Sequence, residues 1–310
     1  MDKSAKIYVA GHAGLIGTAV TQTLKKSGYT NLLLRTRAEL DLLDTTAVRS
    51  FFETEKPEYV VDIAAKVGGI QANIDYPAEY FYENMQIQNN LMWSAKNAHV
   101  KRFLFVGSAV VYPNDSPQPM KEEYFMRGEP DITKSGYAHA KIGGVKFAEY
   151  IHDEFGLSFN TCLPTNIYGV NDNFNPETAH VIPALLMRMH DAKVNNADEV
   201  VIWGKGNARR EFLYVDDLAE AIVWLLGNYT EKQFVNVGTG KDVSMRELAE
   251  EIKDLVGFKG KLVFDATKPE GIPRRLFDVS RIHSAGWRHK VELREGLKRT
   301  YAYYLASVAK

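Results

Sequence analysis

A short apolar run, "KIYVA" (6–10), enters near the start of the chain and meets Gly11, Gly14 and Gly17 in the pattern G-x-x-G-x-x-G. A helix is expected directly after it, from about Leu15 and Ile16. Glycines between a strand and a helix permit a tight turn and let the backbone approach a bound group closely. The helix N-terminus adds free N–H groups and the positive end of its dipole. This opening commits the chain to a β-α unit with a pyrophosphate cradle at its turn, and the residues downstream must supply strands to pair beside it.

They do so. "NLLL" (31–34) precedes a helix near 45–55, "EYVVDIA" (58–64) precedes a long helix at 77–98, and "RFLFVGS" (102–108) precedes a helix from Tyr137 to Phe155 and a strand "SFNTCLP" (158–164). Strand–helix alternation with strands apolar on both faces implies a parallel sheet covered on both sides. The last third is less regular. It holds a helix at 180–193, "EVVIWG", a loop "KGNARREF", a helix at 216–228, a strand "QFVNVG", a capped helix with Ser244 and Glu247 three apart, and a terminal helix "LREGLKRTYAYYLASVA". The expected fold class is therefore α/β: a Rossmann-type doubly wound parallel sheet with a smaller C-terminal α/β lobe that binds substrate. The expected boundaries are 1–167 for the dinucleotide domain, with a returning segment near 212–240, and 168–310 for the lobe.

The second strand bears on the cofactor. A site for NAD usually ends this strand with an acid on the ribose hydroxyls. Here "LLLRTRAELD" ends it with Arg35, Thr36 and Arg37. Two guanidiniums suit a 2′-phosphate, so NADP(H) is favoured. Asp41 and Leu42 are placed beside the adenine.

Ser108 closes a strand at the edge of the sheet where open α/β folds bind ligands. Tyr137 and Lys141, four apart on a predicted helix, share one face. An ammonium beside a phenol favours the phenolate and eases proton transfer near neutral pH, and a serine hydroxyl can orient a carbonyl. The three together suit hydride transfer to a ketone with Tyr137 as the acid.

Other classes are disfavoured. The net charge is −1 with no long basic run, which argues against a nucleic-acid partner, and the longest apolar runs are too short for a bilayer. No signal-peptide pattern is visible. The single cysteine, Cys162, lies in an apolar run and is read as core, so neither an internal disulfide nor a cysteine metal cluster is expected. No metal is expected, and a reducing cytoplasm fits.

The glycine loop, Ser108 and Tyr137-x-x-x-Lys141 resemble the extended short-chain dehydrogenase/reductases. More closely, "AAKVGGIQAN", "PTNIYGVNDNF", "HVIPALLMRMHDA", "VIWGKGNARREFLYVDDLA" and "KPEGIPRRLFDVSR" resemble, in order along nearly the whole chain, the GDP-L-fucose synthase group of epimerase/reductases. The resemblance implies an NADP(H)-dependent homodimer acting on a GDP-linked 4-keto sugar. It implies Ser108, Tyr137 and Lys141 as the reductase triad and His180 as the acid of C3/C5 epimerisation. It places Ala64, Ala65, Pro164, Asn166 and His180 along the cofactor with Arg37 on the 2′-phosphate. Asn166, Arg188, Trp203, Arg210 and Arg275 would face the nucleotide sugar, with Arg274 a further contact.

One position departs. The group carries a cysteine two residues after the serine, taken as the base that removes protons beside the ketone; Val110 stands there. An isopropyl group exchanges no protons. The leading expectation is a C4 reductase of a GDP-4-keto-6-deoxy-hexose or GDP-4-keto-heptose, as in capsule or O-antigen sugar synthesis, with epimerisation lost. The alternatives are a bifunctional GDP-L-fucose synthase and a non-catalytic NADP-binding regulator.

Overall fold

The computed structural model describes residues 1–268 and 271–307. A six-stranded sheet forms its centre, in the order β2-β1-β3-β4-β5-β9, parallel throughout. Its strands are β1 (Ile7–Ala10), β2 (Leu32–Leu33), β3 (Tyr59–Asp62), β4 (Arg102–Val106), β5 (Ser158–Pro164) and β9 (Val235–Val237). Helices α1 (Leu15–Lys26) and α7 (Val215–Asn228) pack together on one face. On the other lie α2 (Thr45–Glu55), α4 (Pro77–Asn97) and α5 (Ser135–Phe155), with the short α3 (Ile70–Asp75) leading into α4. The strands are almost wholly apolar because both faces are covered. Asp62, at the end of β3, is an exception and is fully buried.

The remaining elements build a second, smaller core around Ile182, Leu186, Leu248, Ile252 and Leu297. They are β6 (Asn166–Tyr168), α6 (Val181–Val194), β7 (Glu199–Trp203), β8 (Arg209–Tyr214), β10 (Asp242–Ser244), α8 (Met245–Val256), β11 (Lys261–Asp265), β12 (Arg274–Arg275) and α10 (Leu293–Ser307), whereas α9 (Ser280–Ala285) packs beside β9 and buries Ile282 in the large core. β8 is the hub of this lobe: it pairs with β6, β10 and β12. The capping box that opens α8 forms as expected, Ser244 and Glu247 each accepting the other's backbone N–H.

The structure corrects three local expectations. The loop expected over "KGNARREF" contains most of β8, whose two leading arginines are only half-buried while the four residues after them are buried. β2 is two residues long, and β4 ends at Val106, not Ser108. Ala109–Val111 then form one 3-10 turn capped by Ser108, whose Oγ accepts the Val110 N–H at 3.4 Å. The expected helical residues Val308 and Ala309, and Pro269 and Glu270 of the "KPEG" run, lie outside the described residues.

Candidate active site

The glycine turn is shaped for close approach. Gly11 has φ +82°, and a Cβ there would stand 2.9 Å from the Ala64 backbone nitrogen. A Cβ at Gly17 would run into the Gly11 carbonyl, so α1 seats tightly against the turn. Gly14 caps α1 with no side chain over its end, and Leu15 and Ile16 begin the first turn. A dinucleotide pyrophosphate fits this open helix end.

The two arginines after β2 behave differently. Arg35 is held by Glu55 on α2 at 2.7 Å and lies over the Phe51 ring. Arg37 is exposed. Asp41 is exposed and accepts the Leu43 N–H at 3.0 Å; the Leu42 carbonyl accepts from Asn90 on α4 at 2.8 Å.

Ser108, Tyr137 and Lys141 meet at the C-terminal edge of the large sheet. Lys141 is 2% exposed and donates to the Val106 carbonyl, the last of β4, at 3.0 Å. Burial pushes its pKa down to about 8, against the pull of Asp62. Desolvation pushes the Tyr137 phenol up to about 12, while a hydrogen bond with Ser108 draws it down. Ser108 and Tyr137 are both half-buried. This set holds a proton donor, a hydroxyl that polarises a carbonyl and a cation behind both.

The small-lobe side of this edge is cationic. Arg210 and Arg275 are register partners across β8 and β12. Arg275 reaches the Ala109 carbonyl at 3.0 Å and the Asn114 side chain at 2.9 Å, which fastens the small lobe to the turn after Ser108. Lys134, just ahead of α5, faces both arginines and Asp131; burial and these cations lower its pKa. Sequence reasoning missed Lys134, although it stands three residues before Tyr137 in "TKSGYAHAK". His180 caps α6, open to the cleft, and desolvation followed by Lys134 holds its pKa below the ordinary value. Asn166 donates to the Glu211 carbonyl at 2.8 Å, next to Pro164, the buried last residue of β5.

The Arg188 guanidinium donates to the Val201 carbonyl, and Trp203 is 63% exposed at the end of β7. Arg274 is taken up by Asp242 at 2.5 Å, which also holds Arg209 at 2.9 Å. Cys162 is fully buried within β5, its thiol pushed up to about 12 by desolvation. Among the described residues no group of acids, histidines and cysteine could hold a metal ion, and no helix is long and apolar enough to cross a membrane.

A parallel dinucleotide fold with a serine, tyrosine and lysine at its open edge defines a nicotinamide-dependent enzyme of the extended short-chain type. Residues 7–238 match the NAD dependent epimerase/dehydratase family, and the chain belongs to it. It is 52% identical to GDP-L-fucose synthase 1 of Arabidopsis thaliana, over 99% of this chain and 95% of that one. It is 45% identical to GDP-L-fucose synthase of Escherichia coli, over 97% and 96%. A GDP-mannoheptose C4 reductase from Campylobacter jejuni, solved with NADP bound, superposes with a TM-score of 0.91 at 39% identity, over 98% and 99%.

Proposed function

We propose that this enzyme uses NADPH to reduce the C4 ketone of a GDP-linked 4-keto-6-deoxy-hexose or 4-keto-heptose, with C3/C5 epimerisation lost. NADPH supplies the hydride when bound. Gly11, Gly14, Gly17, Ala64 and Ala65 would receive its pyrophosphate side and Arg37 its 2′-phosphate. Ser108 donates a hydrogen bond to the ketone oxygen, Tyr137 delivers the proton to that oxygen, and Lys141 stabilises the phenolate left behind. Arg210, Arg275 and Lys134 form the cationic wall against which a diphosphate would lie.

The observation that carries the loss of epimerisation is Val110. Its side chain is half-buried in the turn that Ser108 caps, and that turn is pinned by Arg275. Cys162, buried in the sheet with a raised pKa, offers no substitute base. Turnover in deuterated water tests this: deuterium is expected at neither C3 nor C5, and its entry at catalytic rates overturns the reading. A second reading, a bifunctional GDP-L-fucose synthase, is favoured by the names of relatives at 45–52% identity and by the open His180. The same experiment, followed by product analysis on a panel of GDP-4-keto hexoses and heptoses, separates the two.

A homodimer through α4 and α5 belongs to the same proposal. Exposed Tyr82, Trp93 and Tyr150 lie on these helices, and Trp93 stacks on Phe147 with Lys96 above it. Light scattering on the wild type and on Trp93→Glu is expected to show a dimer and its loss.

A further inference from the structure

β3 ends on a carboxylate with 0% exposure, Asp62, whose register partners are Ala10 on β1 and Phe105 on β4. Paired residues of adjacent strands project to the same face of a sheet. The Phe105 ring marks that face: it lies 4.4 Å from the Lys141 Nζ, and a Cβ at Gly144 of α5 would run into it. Asp62 and Lys141 therefore converge under α5, at the edge where Ser108 and Tyr137 stand. Neither Asp62 oxygen completes a hydrogen bond among the described residues, although the Ala64 N–H lies close enough to ease its charge.

The other ionisable groups around the pair are Tyr8 from β1, Cys162 from β5 and Tyr137 from α5, with Arg35 beyond Tyr8. Desolvation raises the pKa of Tyr8, Cys162 and Tyr137, so none of them carries charge near neutrality. Arg35 is engaged by Glu55. Among the described residues Asp62 is thus the anion that faces Lys141. A lone buried ammonium loses its proton, because desolvation penalises the charged form and nothing offsets it.

We infer that Asp62 is the counter-charge that keeps Lys141 protonated at neutral pH, a positioning residue that acts on reduction through the lysine. The inference rests on the proposed role of Lys141. The direction of the pH effect is set by the charges. The lysine works as the ammonium, so activity is lost as pH rises through about 8, the value to which burial lowers it with Asp62 in place. Removing the negative charge lowers it further and moves the basic limb to lower pH. Burial raises the Asp62 carboxyl to about 7, so below this pH it is neutral in the wild type as well. Wild type and Asp62→Asn should then converge in acid and diverge in base.

The test combines kinetics with a titration that needs no cofactor. For Asp62→Asn, the basic limb of kcat/KM should fall by about one pH unit or more, the usual effect of one close opposite charge. The fall in kcat/KM should be about fivefold or more at pH 8 and at most about twofold at pH 6, as expected when only the protonated fraction changes. In cofactor-free protein labelled with 13C-lysine, the Lys141 Cε signal, assigned by its absence in Lys141→Met, should titrate at lower pH in Asp62→Asn. Asp62→Leu, an apolar replacement that leaves no unpaired amide, repeats the comparison should the asparagine fold poorly. A basic limb and a Lys141 midpoint unmoved in both variants overturn the inference. If Lys141→Met turns over at the wild-type rate, the catalytic reading falls instead, and the NMR midpoint still decides the pair.

Discussion

Two fully buried carboxylates, one in the large sheet and one in the small lobe, are held in opposite ways. Glu211 on β8 accepts the backbone N–H groups of Thr239 at 2.5 Å, Gly240 at 2.7 Å and Phe277 at 2.9 Å, with the Thr239 hydroxyl at 3.3 Å. Asp62 on β3 completes no such bond and faces a lysine. A carboxylate saturated by backbone donors is a knot: it ties β8 to the end of β9 and to the segment after β12. A carboxylate opposed by one movable cation is an electrostatic setting for that cation. The small lobe thus uses its buried charge to tie backbone segments together, and the large sheet uses its own to set the state of Lys141.

Breaking the knot should have the largest effect on the fold. Glu211→Ala leaves the buried Phe277 N–H without its acceptor, at roughly 1–3 kcal/mol, and also releases the part-buried Thr239 and Gly240 N–H groups, so a loss of at least ~1 kcal/mol is expected in urea unfolding. An unfolding midpoint unchanged from wild type would erase the distinction between the two carboxylates. Tyr137→Phe touches neither of them. Turnover should drop by about 10²–10⁴, the usual contribution of a general acid, with the melting temperature and NADPH binding retained. Arg37→Ala probes the same half with a smaller effect. Losing one charge-assisted contact of roughly 1.5–3 kcal/mol should reduce the preference for NADPH over NADH about tenfold or more, read from the two kcat/KM values. The smallest effect is expected where the two regions touch, at the turn held by Arg275. Val110→Cys should admit some solvent deuterium beside the ketone while the reduction rate changes little, and no added exchange would mean that the turn does not present this position to the sugar.

Much of the large sheet is legible in the sequence because its signals are local. The glycine loop must come after a strand and open a helix, and Gly11 and Gly17 stand where any side chain would strike backbone. Tyr137 and Lys141 share a face through helical spacing alone. β8 is hidden because its apolar half comes after a polar start, "ARR", and only pairing with three strands makes it a hub. Lys134 and Arg275 converge from segments far apart in the chain. Arg35 and Arg37 are equivalent as sequence, and only Glu55 on α2 sets them apart by holding one of them. An acid in the apolar run "EYVVDIA" is the available signal for Asp62, but no spacing rule links it to Lys141.

The sequence by itself determined the dinucleotide fold, the presence of Ser108 with Tyr137 and Lys141 at helical spacing, and the valine at position 110, since each depends on residue type at short range. Only the tertiary structure decided which charges meet. Asp62 lies under Lys141 because β3 and β4 pair in one register and α5 crosses that face. Glu211 becomes a knot because three distant backbone segments converge on it. Charge states in a buried site depend on distance and desolvation, and both are products of packing.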